Sequence, residues 1–131
     1  MNFGLSFALH LSFIACFDTC WLTLNFKCYP GKIYPSAATS KRSFFVTMVF
    51  CILCWIVSAL HLAGHQHDSV IAAALESAWT GSLVYAVYNF TTYITTDEWR
   101  LFPVAFVDTL WGACLFASAA AITATLDITG S

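Results

Sequence analysis

Four long apolar runs alternate with short polar connections along the chain: about Phe3 to Leu24, Phe44 to Gly64, Val70 to Ile94 and Leu101 to Leu126. Each has the roughly 20 residues that a helix needs to cross the hydrocarbon core of a bilayer. Strands of a membrane barrel would be shorter and would alternate in polarity, and these runs do neither. The pattern predicts an all-α polytopic membrane protein, an antiparallel bundle of four transmembrane helices forming one domain over residues 1–131. The first run has no basic region ahead of it and carries Asp18 near its end, so it reads as a retained span rather than a cleaved signal peptide.

Composition supports the same class. The chain is 60% hydrophobic and 9% charged, whereas soluble domains carry about 25% charged residues. Four spans leave no room for a soluble domain, and nothing in the charge distribution suits nucleic acid. The lipid bilayer is the first partner, and other membrane chains or self-association the second.

Charge then orients the bundle. Lys27, Lys32, Lys41 and Arg42 lie between the first two runs and Arg100 between the last two. Positive charge stays on the cytoplasmic side during insertion. The loop at about residues 25–43 and the third connection are therefore expected in the cytoplasm, with both termini and the short Gly64 to Ser69 turn on the other side. In the long loop, Pro30 and Pro35 disfavour helix and Pro30-Gly31 supplies a turn.

The polar residues inside the spans carry the candidate chemistry. Asp18 lies six residues before the end of the first run and Asp108 seven after the start of the fourth, each about 10 Å inside the cytoplasmic boundary at 1.5 Å per residue. Asn89 reaches the same level from the third run and Thr47 from the second. An ionisable group in hydrocarbon costs at least ~2.5 kcal/mol on insertion scales, so such residues face the bundle interior or a wet cavity. Asp18, Thr47, Asn89 and Asp108 are expected to form one polar cluster open toward the cytoplasm.

Two local patterns sharpen this expectation. Asp18-Thr19-Cys20-Trp21 recurs as Asp108-Thr109-Leu110-Trp111, and i,i+3 spacing puts each Asp and its Trp on one helical face. Trp21 and Trp111 can close a pocket and offer an indole N–H to a carboxylate. The two helices run antiparallel, so the repeat is not a duplicated hairpin. The second run carries Ser43, Thr47, Cys51, Cys54, Ser58, His61 and His65 as one stripe, and the third carries Ser77, Gly81, Tyr85, Tyr88, Asn89 and Thr92 as another. Both are expected to face inward, where small residues admit close helix approach and polar ones bond across helices. Trp79 and Phe90 are expected to face lipid or another chain.

With Asp18 and Trp21, then Tyr85, Tyr88, Asn89 and Thr91, then Asp108, Trp111 and Gly112 in successive spans, the chain resembles the small predicted membrane proteins grouped as domain of unknown function 2177. The resemblance covers almost the whole chain. It implies four spans, a shared polar site with Tyr85 and Tyr88 among its aromatics, and a bacterial or viral source, but it implies no activity. Where the third span of that family commonly has an Asp followed by an Asn, this chain has Asn89 and Thr92, one carboxylate fewer.

A second constellation lies toward the opposite end. His10, His61, His65, His67 and Glu76 are metal-ligand types, and His61 and His65 are four residues apart, a spacing that can share a metal. Spacing alone supplies no ligand geometry, and no cofactor is predicted from it. Five of the six cysteines are embedded and Cys28 is in the cytoplasmic loop, so no disulfide framework is expected. Cys51 and Cys54 form C-x-x-C but lack an exposed, electropositive setting. No phosphate-binding glycine loop or nucleophile elbow is present. Three classes follow in order: a structural or accessory component of a membrane assembly; a small carrier or channel using the Asp/Asn cluster for protons, cations or a polar solute; and a haem, metal or thiol redox enzyme.

Overall fold

The computed structural model describes residues 2–28, 41–64, 69–95 and 101–129, without the side chains of some residues near the helix ends. They form four helices: α1 (Phe3–Cys28), α2 (Lys41–Gly64), α3 (Val70–Thr95) and α4 (Phe106–Thr129). Among the described residues, α1, α3 and α4 each contain a stretch long and apolar enough to cross a membrane, and α2 contributes the apolar stretch Ile52–Gly64. The protein is an integral, multi-pass membrane protein.

Two helix starts are set by their caps. Asn2 accepts the Leu5 N–H on its side-chain oxygen and the Ser6 N–H on its carbonyl. Ser69 does the same for Ala72 and Ala73 ahead of α3. These short polar side chains satisfy backbone donors that the first turn leaves open. Along the helices, Ser12, Thr19, Thr23, Ser58, Ser82 and Thr109 return their hydroxyls to the carbonyl four residues back. A hydroxyl bonded within its own helix makes no demand on lipid.

The fourth span differs from its expected form. Leu101–Ala105 is a π-type segment with Phe102 in extended backbone (φ −125°, ψ 134°), and the regular helix begins at Phe106. Pro103 is the reason, because its ring excludes the α conformation for the residue before it. Asp108 is consequently in the first turn of α4 rather than two turns inside a helix starting at Leu101. At the other ends, α1 runs four residues past the expected Leu24, and α2 starts three residues before the expected Phe44.

α3 packs most extensively against α4, while α1 packs against both α2 and α4. The α3/α4 contact is close because glycines face each other. A Cβ on Gly81 would strike the Gly112 carbonyl oxygen and the Phe116 side chain, and one on Gly112 would strike the Tyr85 ring. Many interior positions are small: Ala59, Ala73, Ala105, Ala119 and Ala120 are buried, around a cluster of Ile14, Leu62, Leu115, Phe116 and Ala119. Large apolar side chains point outward instead, among them Ile71, Leu75, Val87 and Ile94, with Trp79 67% and Phe90 53% exposed. Small residues inside and bulky apolar ones outside is the distribution that helix packing in lipid produces, since dispersion and close approach replace the hydrophobic drive.

Candidate functional site

Asp18 is 5% exposed, in the middle third of α1, and its carboxylate collects donors from each of the other three helices. Tyr85 of α3 donates its hydroxyl to Oδ1 at 2.7 Å, Trp111 of α4 donates Nε1–H to Oδ1 at 3.2 Å, and Trp55 of α2 donates Nε1–H to Oδ2 at 2.9 Å. One buried carboxylate thus ties the whole bundle. Hydrogen bonds to an ionised acceptor are shorter and stronger than neutral ones, which is how a carboxylate is tolerated at this depth.

Asp108 receives a smaller set. Trp21 of α1 donates Nε1–H to Oδ1 at 3.1 Å, and Asn89 of α3 donates Nδ2–H to Oδ2 at 3.0 Å. The two Asp-x-x-Trp segments therefore exchange bonds: the Trp of each helix serves the Asp of the other. Their indoles stack face to face between the carboxylates, with centroids 4.5 Å apart and planes 8° from parallel. Antiparallel packing of α1 on α4 makes this exchange possible, because similar segments running in opposite directions bring the Trp of each alongside the Asp of the other.

Asn89 is fully buried. Its Nδ2 also donates to the Tyr85 carbonyl at 2.8 Å and lies 3.4 Å from Thr109 Oγ1, while its Oδ1 is buried without a hydrogen-bond partner among the described residues. Ser77 Oγ, three turns toward the start of α3, is the other buried polar atom in that condition. Asp108 itself is only half-buried.

One turn away from the polar layer, the interior is closed by hydrocarbon. Ile14 lies four residues before Asp18, Leu115 and Phe116 lie four and five after Trp111, and all three are essentially inaccessible. Gly81, four residues before Tyr85, packs against this same layer. The bundle is polar at one level and dry at the next.

The structure brings together Asp18, Asn89, Asp108, Trp21, Tyr85 and Trp111. Tyr88 is half-buried on α3. Thr47 is on α2, but its side chain is outside the described set. Two residues escaped the sequence reading. Trp55 sits four after Cys51 and three before Ser58, on the α2 stripe itself, where small and polar residue types alone do not single it out. Thr109, inside the repeated tetrapeptide, borders Asn89.

Of the outer constellation, His10, His61 and Glu76 are among the described residues. His10 is buried and donates Nδ1–H to the Ser6 carbonyl at 2.9 Å, within its own helix. Glu76 and His61 are exposed, and His65 and His67 are outside the described residues. His61 therefore departs from the inward stripe expected of it. Ser58, Ala59 and Leu62 form the buried face of α2, and His61 is turned about 100° from Leu62 by the helical step. Among the described residues, no group of three or more His, Cys, Asp or Glu side chains is placed to hold a metal.

No curated protein and no solved structure matches the chain. The family model described as predicted membrane protein (DUF2177) matches residues 3–125. With four helices, three described spans and a match over nearly its full length, the chain belongs to that family of predicted membrane proteins.

Proposed function

We propose that this protein is a structural or accessory component of a membrane assembly, and that its carboxylate–indole cluster is the clamp holding the bundle in one form. The observation that carries this reading is the reciprocal donation of Trp21 to Asp108 and Trp111 to Asp18. An indole N–H donates but cannot accept, so it fixes a carboxylate without relaying a proton. Both oxygens of both aspartates are engaged by such donors, Tyr85 and Asn89. A residue held this way is suited to specifying helix register more than to releasing a cargo. The dry layer of Ile14, Leu115 and Phe116 adjoining the cluster also favours a closed bundle over a pathway.

The orientation belongs to the same reading. Both termini are on the non-cytoplasmic side, with the α1–α2 and α3–α4 connections in the cytoplasm, on the strength of where the five basic residues fall. The outward apolar faces then meet lipid and neighbouring chains.

Proteoliposome flux separates this role from a carrier. The clamp predicts no proton or cation flux from the unmodified protein above empty liposomes, and a loss of folded, monodisperse protein in Asp18→Leu. A flux in the unmodified protein that Asp108→Asn abolishes, in a variant that still folds, would overturn the structural reading in favour of a small carrier.

A further inference from the structure

We propose that the outward face of α3 is a contact between two copies of this chain, in which Trp79 of each copy donates its indole N–H to the Glu76 carboxyl of the other. The inference rests on the assembly role proposed above and names the partner as a second copy.

Glu76-Ser77-Ala78-Trp79 is a third segment with an acid, a hydroxyl residue and then a Trp at the fourth position, after Asp18-Thr19-Cys20-Trp21 and Asp108-Thr109-Leu110-Trp111. Inside the bundle the first two complete each other: the Trp of each helix serves the Asp of the other, and the indoles stack. The third is turned the other way. Glu76 is exposed and Trp79 is 67% exposed, while Ser77 between them is buried.

Glu76 follows the start of α3 by six residues, about 9 Å at the helical rise, and falls within the apolar stretch Val70–Thr91. An ionisable side chain turned toward hydrocarbon at that depth is costly, and such groups in spans accordingly meet protein. A carboxyl group holds more acceptor sites than one bond uses, so Glu76 has capacity for a donor from outside whatever it meets in its own chain.

The rest of the face supplies the fit. Ala72, Glu76, Trp79, Leu83, Val87 and Phe90 recur at steps of four, three, four, four and three and are all exposed, the spacing of a left-handed helix–helix seam. α3 packs on α4 through its opposite side, where Ser77, Gly81 and Asn89 are buried. Copies inserted under the same charge rule share an orientation, so a two-fold axis along the membrane normal sets the two α3 helices parallel, with each seam residue near its own counterpart. The partner's Trp79 is then one turn beyond Glu76. Helix side chains lean toward the N-terminus, which turns that indole back toward the carboxyl, and Glu has one methylene more than the interior aspartates to close the remaining offset.

The test is the dimer fraction of the full-length protein in liposomes of phosphatidylcholine and phosphatidylglycerol over a lipid dilution series, counted by single-molecule photobleaching of a dye on an added C-terminal tag. The expected result is a dimer that dissociates on dilution, with association weakened at least tenfold by Trp79→Phe, which keeps a ring and removes the N–H, and by Glu76→Leu. Both positions are exposed, so both variants should fold as the parent does. Leu83→Cys, in a background cleared of native cysteines, should cross-link to its counterpart on oxidation, and Val57→Cys on the exposed side of α2 should not. A protein that stays monomeric at every dilution would overturn the contact and leave the face to lipid. So would a dimer that Trp79→Phe and Glu76→Leu leave unchanged, or one that cross-links through Val57→Cys in place of Leu83→Cys. The two readings fail separately: flux through the unmodified protein strikes the accessory role whatever the dimer fraction, and a monomer without flux strikes this contact alone.

Discussion

Trp21 and Trp111 stack with ring centroids 4.5 Å apart, and each donates its indole N–H to the aspartate three residues before the other. The pair joins α1 to α4 through two ring faces and two indole-to-carboxyl hydrogen bonds at once. Offset or stacked aromatic pairs contribute about 0.5–1.5 kcal/mol beyond their area, and a hydrogen bond to a charged group about 1.5–3 kcal/mol. The bonds are thus the larger part.

Those magnitudes can be separated by substitution. Trp111→Phe keeps an aromatic ring in the stack and removes only the N–H, and should cost about 1.5–3 kcal/mol. Trp111→Ala loses the stack as well and should cost more. Unfolding titrations of both variants in mixed micelles check the order, and a negligible loss in Trp111→Phe beside a large one in Trp111→Ala would show that packing, not the bond to Asp18, holds the ring.

The two aspartates should differ in their tolerance of asparagine. Asn offers one accepting oxygen and turns an NH2 toward whatever faced the other. At Asp18 that NH2 would confront either Trp55 or the Tyr85 and Trp111 pair, in a site that is 5% exposed. At Asp108 one donor is displaced in a half-buried site, where water can compensate. Asp18→Asn should destabilise by about 3 kcal/mol or more, the scale of a broken buried charge network, and Asp108→Asn by less. Thermal melts of the two variants in one detergent decide it.

Close approach of α3 and α4 makes Gly81→Ala a severe substitution. The added methyl would meet the Gly112 carbonyl oxygen, which belongs to a helix backbone and cannot swing aside. Overpacking of this kind costs about 1–3 kcal/mol. Gly112→Ala would press instead on the Tyr85 ring and, by displacing it, weaken the hydroxyl bond to Asp18. Tyr85→Phe combined with Gly112→Ala should therefore lose less than the sum of the single changes, measurable as a double-mutant cycle.

Topology is open to direct labelling. With cysteines introduced at Lys32 and at Gln66 in a background cleared of native ones, an impermeant thiol reagent added to intact cells should modify the Gln66 site and spare the Lys32 site. The opposite labelling would invert the orientation.

The four-helix membrane class, the inward level of Asp18, Asn89 and Asp108, and the pairing of each Asp with a Trp on one face were all legible along the chain. They depend on local quantities: run length against bilayer thickness, the rise of a helix, and the cost of charge in hydrocarbon. Pro103 is equally visible, yet the apolar run continues through it without interruption, so hydropathy alone starts α4 at Leu101 rather than Phe106. Partner choice was not legible. That Trp21 serves Asp108 rather than its own Asp18, that Trp55 completes the shell, and that His61 turns outward depend on the rotation and offset of one helix against another. Those are settled by contacts between distant residues, above all the glycine-mediated approach of α3 to α4 and the reciprocal Asp–Trp bonds of α1 and α4, which no periodicity within a single span encodes.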